Sequence, residues 1–177
     1  MREGENALAA ASIYMKIRIS GIVNDSIVDG PGFRLTVFTQ GCPHRCAGCH
    51  NPQTHDFEGG HEVDTTEIIE KLRKNPLMDG ITLSGGEPFC QGEACAELAR
   101  AAHALGLNVW AYSGYTYEQL VDGDAAQRAL LNETDVLVDG PFVLTQRTLE
   151  LRFRGSANQR LIDVKASAAA GCAQPIK

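Results

Sequence analysis

The sequence predicts an α/β fold, an incomplete, open (β/α) barrel with a mostly parallel sheet. Three features carry that expectation. Short β-rich runs alternate with helical patterns along the chain. Several of those runs are too apolar on both faces to be half-solvated, as parallel strands covered by helices are. The chain has 177 residues, whereas a closed eight-fold barrel usually takes about 250. Room for about five strand–helix repeats makes a splayed barrel in one domain the better fit.

The first strand is expected over 16–23 (KIRISGIV) and the second over 33–40 (FRLTVFTQ). Four more follow at 80–84, 107–113, 135–139 and 160–164. Asp64 and Glu67 make a capping box for a helix over TTEIIEKLRK, with Ile68, Ile69 and Leu72 on one face. Glu67–Lys71 and Glu70–Lys74 are spaced to pair on the other. In GEACAELARAAHALG, Cys95, Leu98, Ala99, Ala102 and Leu105 form a stripe that Gly106 ends. Thr116 with Gln119, and Asp124, cap two further helices. Strand, helix, strand in this order implies right-handed crossovers and a largely parallel sheet.

Residues 1–15 read as a disordered extension, with Met15 a second candidate start just before the first strand, and residues 166–177 read as a flexible tail. A net charge of −6 without a run of Lys or Arg gives no nucleic-acid footprint. No apolar stretch approaches the roughly 20 residues of a membrane span. Glu3 and Glu5 do not suit a signal peptide, so the cytoplasm is the expected address.

Six cysteines are present, and three, Cys42, Cys46 and Cys49, form a C-x₃-C-x₂-C cluster. In a cytosolic chain such a cluster binds metal or does redox work more often than it forms disulfides, which here would leave an odd thiol. Zinc would need a fourth ligand from His44, His50, His55 or His61. An iron–sulfur cubane held by three cysteines would keep one iron open for reaction. The spacing favours iron–sulfur, because zinc sites typically pair C-x₂-C with a second pair further along.

The cysteine loop follows the second predicted strand, and SGGEP (84–88), SGYT (113–116) and DGPF (139–142) follow later ones. All lie at carboxyl ends of strands, where α/β folds bind ligands, so one site is expected to collect them. Gly85 and Gly86 let backbone approach a ligand, and Glu87 is a carboxylate suited to an ammonium group.

CPHRCAGC followed by SGGEP resembles the radical S-adenosylmethionine enzymes. DGPG (29–32), CHNP (49–52), VLVDGPF (136–142) and RGSANQR (154–160) are similar to the activating proteins of anaerobic ribonucleoside-triphosphate reductase. The likeness runs from about residue 16 to 164 and implies a single radical S-adenosylmethionine domain over 16–165. It implies that Cys42, Cys46 and Cys49 hold a [4Fe–4S] cluster whose fourth iron is chelated by S-adenosylmethionine. Reductive cleavage would give a 5′-deoxyadenosyl radical, which abstracts hydrogen from a glycine of the reductase. Gly85, Gly86 and Glu87 would contact the methionine end of the cofactor, and Gly48 and His50 would lie near its adenine. Ser113 and Asp139 would contact ribose or carboxylate, and the 29–32 turn would border the site and the partner's glycine loop. A low-potential flavodoxin or ferredoxin would supply the electron.

Gly48 stands where many members have an aromatic, which matches the reductase activators and not the pyruvate formate-lyase type. Ala111 replaces a strand-end aspartate of that second type, and Pro141 and Phe142 replace a lysine. A radical enzyme acting on a small molecule and a zinc-stabilised binding module are the alternatives. Cys90 and Cys95 are expected to pack, Cys172 to be free in the tail, and Trp110 and Tyr112 to pack in the core or the barrel. Arg147, Arg152 and Arg154 are expected on a solvated face.

Overall fold

The computed structural model describes residues 15–177, so most of the expected extension lies outside the described residues. One sheet contains β1 (Lys16–Ser26), β2 (Arg34–Thr39), β3 (His61–Asp64), β4 (Gly80–Gly85), β5 (Asn108–Tyr112), β6 (Val136–Asp139) and β7 (Arg160–Asp163). Its order is β3-β1-β2-β4-β5-β6-β7. The helices are α1 (Thr65–Lys74), α2 (Gly92–Ala104), α3 (Tyr117–Val121), α4 (Ala125–Asn132) and α5 (Val164–Ala170).

β2, β4, β5 and β6 pair in parallel, which makes the centre of the sheet an open α/β array. The flanks depart from a uniform strand–helix repeat. β1 runs antiparallel to β2 and to β3, and β7 runs antiparallel to β6. Each reversal is made by a connection without a crossover helix, so chain direction flips. β3 is an edge strand whose HEVD sequence has no apolar alternation to announce it.

Alternation along the central strands sorts their two faces. Leu35 and Val37, Ile81 and Leu83, Val109 and Ala111, and Leu137 join the apolar core under α1, α2 and α4. Cys95, Leu98, Ala99 and Ala102 of α2 fill that layer, as the stripe predicts, whereas Leu105 lies beyond the helix and is exposed. The opposite face carries Arg34, Thr36, Phe38, Thr82, Ser84, Trp110 and Tyr112, and this polar side leads to the functional loops.

Thr116 with Gln119 and Asp124 with Gln127 form full capping boxes. Asp64 sits at the N-cap of α1 without capping it, because its carboxylate pairs with Lys16 Nζ at 3.0 Å. On α1, Glu70 takes Arg73 at 2.6 Å instead of Lys74.

The segment expected as a flexible tail, 166–177, has structure. Asp163 caps α5 by accepting from Ala166 N at 2.8 Å. The chain then returns along β7, with Gln174 O accepting from Asp163 N and Ile176 N donating to Leu161 O. Val164 and Ser167 are buried beneath this return, which gives the alanine-rich stretch an anchor that its composition hides.

Candidate functional site

The loops leaving β2, β4, β5 and β6 meet around a cavity of about 500 Å³. Of the expected site residues, Cys42, Cys46, Cys49, His50, Gly85, Gly86 and Ser113 line it. Gly48, Glu87 and Asp139 do not.

The cysteine loop is fixed at both ends by backbone bonds. Gly41 N donates to Thr54 O at 2.7 Å and Cys42 N to His55 O at 3.2 Å. Cys49 N closes a turn onto Cys46 O at 3.2 Å, and Arg45 takes a left-handed conformation with φ 48° to wrap it. All three thiols are free. Burial pushes the Cys42 thiol up, while the His44 and Arg45 N–H groups aimed at its sulfur pull it back. Asn51 N approaches Cys49 Sγ at 3.4 Å. Among the described residues, no three His, Cys, Asp or Glu side chains gather around one point as a single ion requires. A cubane takes each thiolate on a different iron and does not require the three sulfurs to share one point.

SGGEP is pressed onto the start of this loop. Gly86 N donates to Thr39 O at 2.7 Å and Glu87 N to Gly41 O at 2.8 Å. A Cβ on Gly86 would lie 2.4 Å from Gly41 O, so only glycine allows the approach. Glu87 is fully buried and its carboxylate is already occupied. Oε2 accepts from His44 Nε2 at 2.6 Å and Gly114 N at 2.9 Å, Oε1 from Phe89 N at 3.1 Å, and Ser113 Oγ lies 3.0 Å from both. Through these bonds Glu87 ties the cysteine loop, by way of His44, to the turns after β4 and β5. Gly114 leaves room for the His44 ring, which packs edge-on against Tyr115 at 4.5 Å.

Asp139 is also spent inside the protein. It accepts from Tyr117 N at 2.8 Å and pairs with Arg160, which in turn reaches Glu118. Gly140, next to it, lines the cavity in its place. Gly48 turns away from the cavity and lies under Leu144, where a Cβ would meet Leu144 Cδ1 at 2.8 Å. His50 stands against Phe142 with ring centroids 5.0 Å apart. The 140–159 segment therefore meets both chain neighbours of the third cysteine, Gly48 through Leu144 and His50 through Phe142.

Other residues come to light only in three dimensions. Arg34 is fully buried beneath the cavity, where it donates to Thr82 Oγ1 at 2.7 Å, Ile81 O at 2.8 Å and Pro31 O at 3.1 Å. Desolvation lowers its pKa to about 10. Asp29 lines the cavity and accepts from Ser26 and Thr36, so the 29–32 turn is anchored from both sides. Arg154, expected on a solvated face, lines the cavity as well. Cys90 is exposed, against expectation, while Cys95 is core as expected. Burial by neighbouring elements decides these cases, and no local pattern reports it.

A family model described as a 4Fe-4S single cluster domain matches residues 28–162. An anaerobic ribonucleoside-triphosphate reductase-activating protein of Vibrio cholerae is 38% identical over 143 residues, spanning 75% of this chain and 89% of that protein. Its namesake in Escherichia coli K12 is 35% identical over 144 residues, 75% of this chain and 90% of that one. A pyruvate formate-lyase-activating enzyme of Clostridium pasteurianum is 41% identical over 96 residues, 51% of this chain and 40% of its own length.

Proposed function

The chain belongs to the family of the anaerobic ribonucleoside-triphosphate reductase-activating proteins, and on that premise we propose that it is a radical S-adenosylmethionine activase. It generates a glycyl radical on anaerobic ribonucleoside-triphosphate reductase. The observation that carries this is the wall of the cavity. Three free thiols line it where the βα loops converge, and no other described cysteine does.

Cys42, Cys46 and Cys49 would hold a [4Fe–4S] cluster through their thiolates, with one iron left open to S-adenosylmethionine. The donor set fits: it is all soft thiolate, and backbone N–H groups of His44, Arg45 and Asn51 point at sulfur to spread its charge. When bound, the cluster supplies one electron that splits the sulfonium S–C5′ bond into methionine and a 5′-deoxyadenosyl radical, which takes hydrogen from a glycine Cα.

The chain's own residues bind, orient and exclude water. Gly85 and Gly86 present backbone to the methionine end, and His50 with Phe142 walls the adenine side. Ser113 lines the cavity while Glu87 holds its hydroxyl. Gly48, Glu87 and Asp139 act as positioning residues, holding the loops and the 140–159 segment in place. Shielding matters because the radical attacks any nearby C–H bond.

The finer fold reading is an open barrel of the radical S-adenosylmethionine type over 16–165. Its uncovered side admits a partner's glycine loop, with exposed Val28 and Leu149 at the rim. A low-potential flavodoxin or ferredoxin donates the electron. Six free thiols suit a reducing cytoplasm, and no described helix is long and apolar enough to cross a membrane.

The test is anoxic. Iron- and sulfide-reconstituted, reduced protein is incubated with S-adenosylmethionine and reductase, and 5′-deoxyadenosine is quantified against Cys46→Ala. Product from the unaltered protein alone supports the reading. A preparation that takes up only zinc would overturn it.

A further inference from the structure

RGSANQR works as a lock. Ser156 Oγ accepts from Val143 N at 3.1 Å, and Asn158 Nδ2 donates to Pro141 O at 2.7 Å. Gln159 Oε1 accepts from Gly155 N at 2.9 Å and Ser156 N at 3.2 Å, while its Nε2 donates to Gly140 O at 3.1 Å. These bonds fix the backbone after Arg154 to the segment that leaves β6. On its other side, Phe153 packs edge-on against Trp110 with centroids 5.2 Å apart. Arg154 is thus held on the cavity wall by its neighbours.

Among the described residues, its guanidinium has no hydrogen-bond or ion-pair partner. Nε is buried and has no hydrogen-bond partner among the described residues, and no described carboxylate forms an ion pair with Arg154. A buried donor without an acceptor is costly, so its partner is to be sought beyond the described residues, and the cavity it lines points to a ligand. Arg154 is also the one Lys or Arg among the described residues lining the cavity. Asp29, the acidic residue on the wall, is already engaged by Ser26 and Thr36.

We propose that Arg154 anchors the carboxylate of S-adenosylmethionine. The inference rests on the reading of this cavity as an S-adenosylmethionine site. The sulfonium and ammonium of that molecule are cationic, which leaves its carboxylate as the group a guanidinium recognises. The planar fork sets orientation as well as affinity, and holds the methionine end against the cysteine wall.

The experiment compares anaerobically reconstituted wild type, Arg154→Gln and Arg154→Lys at equal iron and sulfide content. Equilibrium dialysis measures binding of labelled S-adenosylmethionine, with decarboxylated S-adenosylmethionine as competitor. Arg154→Gln is expected to weaken S-adenosylmethionine on the order of 10- to 100-fold. Arg154→Lys falls between the two. The decarboxylated competitor is expected to bind wild type and Arg154→Gln alike, because it lacks the group that Arg154 holds. Affinity for S-adenosylmethionine within about twofold of wild type in Arg154→Gln would overturn the inference. So would an equal loss for the decarboxylated competitor, the mark of a structural role. A fully loaded wild type with no affinity for S-adenosylmethionine would overturn the proposed function itself, and this inference with it.

Discussion

Replacing Glu87 with glutamine separates two roles for the SGGEP carboxylate. In the structure Glu87 is 0% exposed, and its oxygens accept from two backbone N–H groups, a serine hydroxyl and a histidine. Glutamine has one acceptor oxygen. Whichever way its amide turns, the NH₂ faces either Phe89 N or Gly114 N, donor against donor. One buried backbone donor then loses its acceptor, at a cost of about 1–3 kcal/mol. The short His44 bond also loses its charge, for roughly 1 kcal/mol more. A total of about 2–4 kcal/mol lowers the melting temperature of a chain of this length by roughly 5–15 °C. The assay is unfolding of the metal-free, reduced protein by urea and by heat, so that cofactor contacts play no part. A second reading follows iron release to a chelator, which is expected to be faster in the variant because His44 no longer restrains the cysteine loop. A metal-free Glu87→Gln as stable as wild type, with only its affinity for S-adenosylmethionine reduced, would refute the clamp. It would place the carboxylate on the ligand's ammonium instead.

Gly86→Ala puts a methyl 2.4 Å from Gly41 O and is expected to part the two loops, costing about 1–3 kcal/mol by urea unfolding and slowing cluster reconstitution. Arg160→Gln strips the buried Asp139 of its cation and is expected to cost about 2–4 kcal/mol. Glu118→Gln, on the exposed arm of the same network, is expected to cost under about 1 kcal/mol in the same assay. For His103, desolvation opposes the proton, but Asp135 and Glu133 outweigh it and the pKa is raised above its ordinary 6.5. Its stabilising contribution is thus fully present below pH 6.5 and is lost as pH rises through the folded-state value. The urea-unfolding free energy of wild type relative to His103→Gln is expected to fall over that window, by no more than about 1 kcal/mol at this partly exposed site. A pH-independent difference would contradict the pairing.

The central strands are legible in the sequence because β2, β4, β5 and β6 sit between a helix layer and a filled opposite face, which leaves runs of apolar and β-branched residues. Thr116 and Asp124 are equally legible, since a capping box is a contact among near neighbours. Strand direction is different. Nothing in KIRISGIV or RLID states which way it will pair, and β1 and β7 both turn antiparallel. Asp64 fails as a cap because a distant Lys16 competes for it. At the site, the cysteine spacing announces itself, as do the glycines that let two loops touch. The carboxylates do not. Glu87 and Asp139 stand where a ligand contact is expected, yet each faces donors brought in from other loops. Arg154 errs the other way, because the bonds that aim it into the cavity come from residues after it, and their effect appears only once β6 and β7 are side by side.

The most direct measurement of the account is isotope transfer. Reductase labelled with glycine dideuterated at Cα is mixed, without oxygen, with the reduced, cluster-loaded protein and S-adenosylmethionine, and the 5′-deoxyadenosine is weighed by mass spectrometry. The account predicts product carrying one deuterium, formed together with a glycyl radical signal on the reductase, and neither with Cys46→Ala. 5′-Deoxyadenosine that stays unlabelled while the reductase remains free of radical would contradict it.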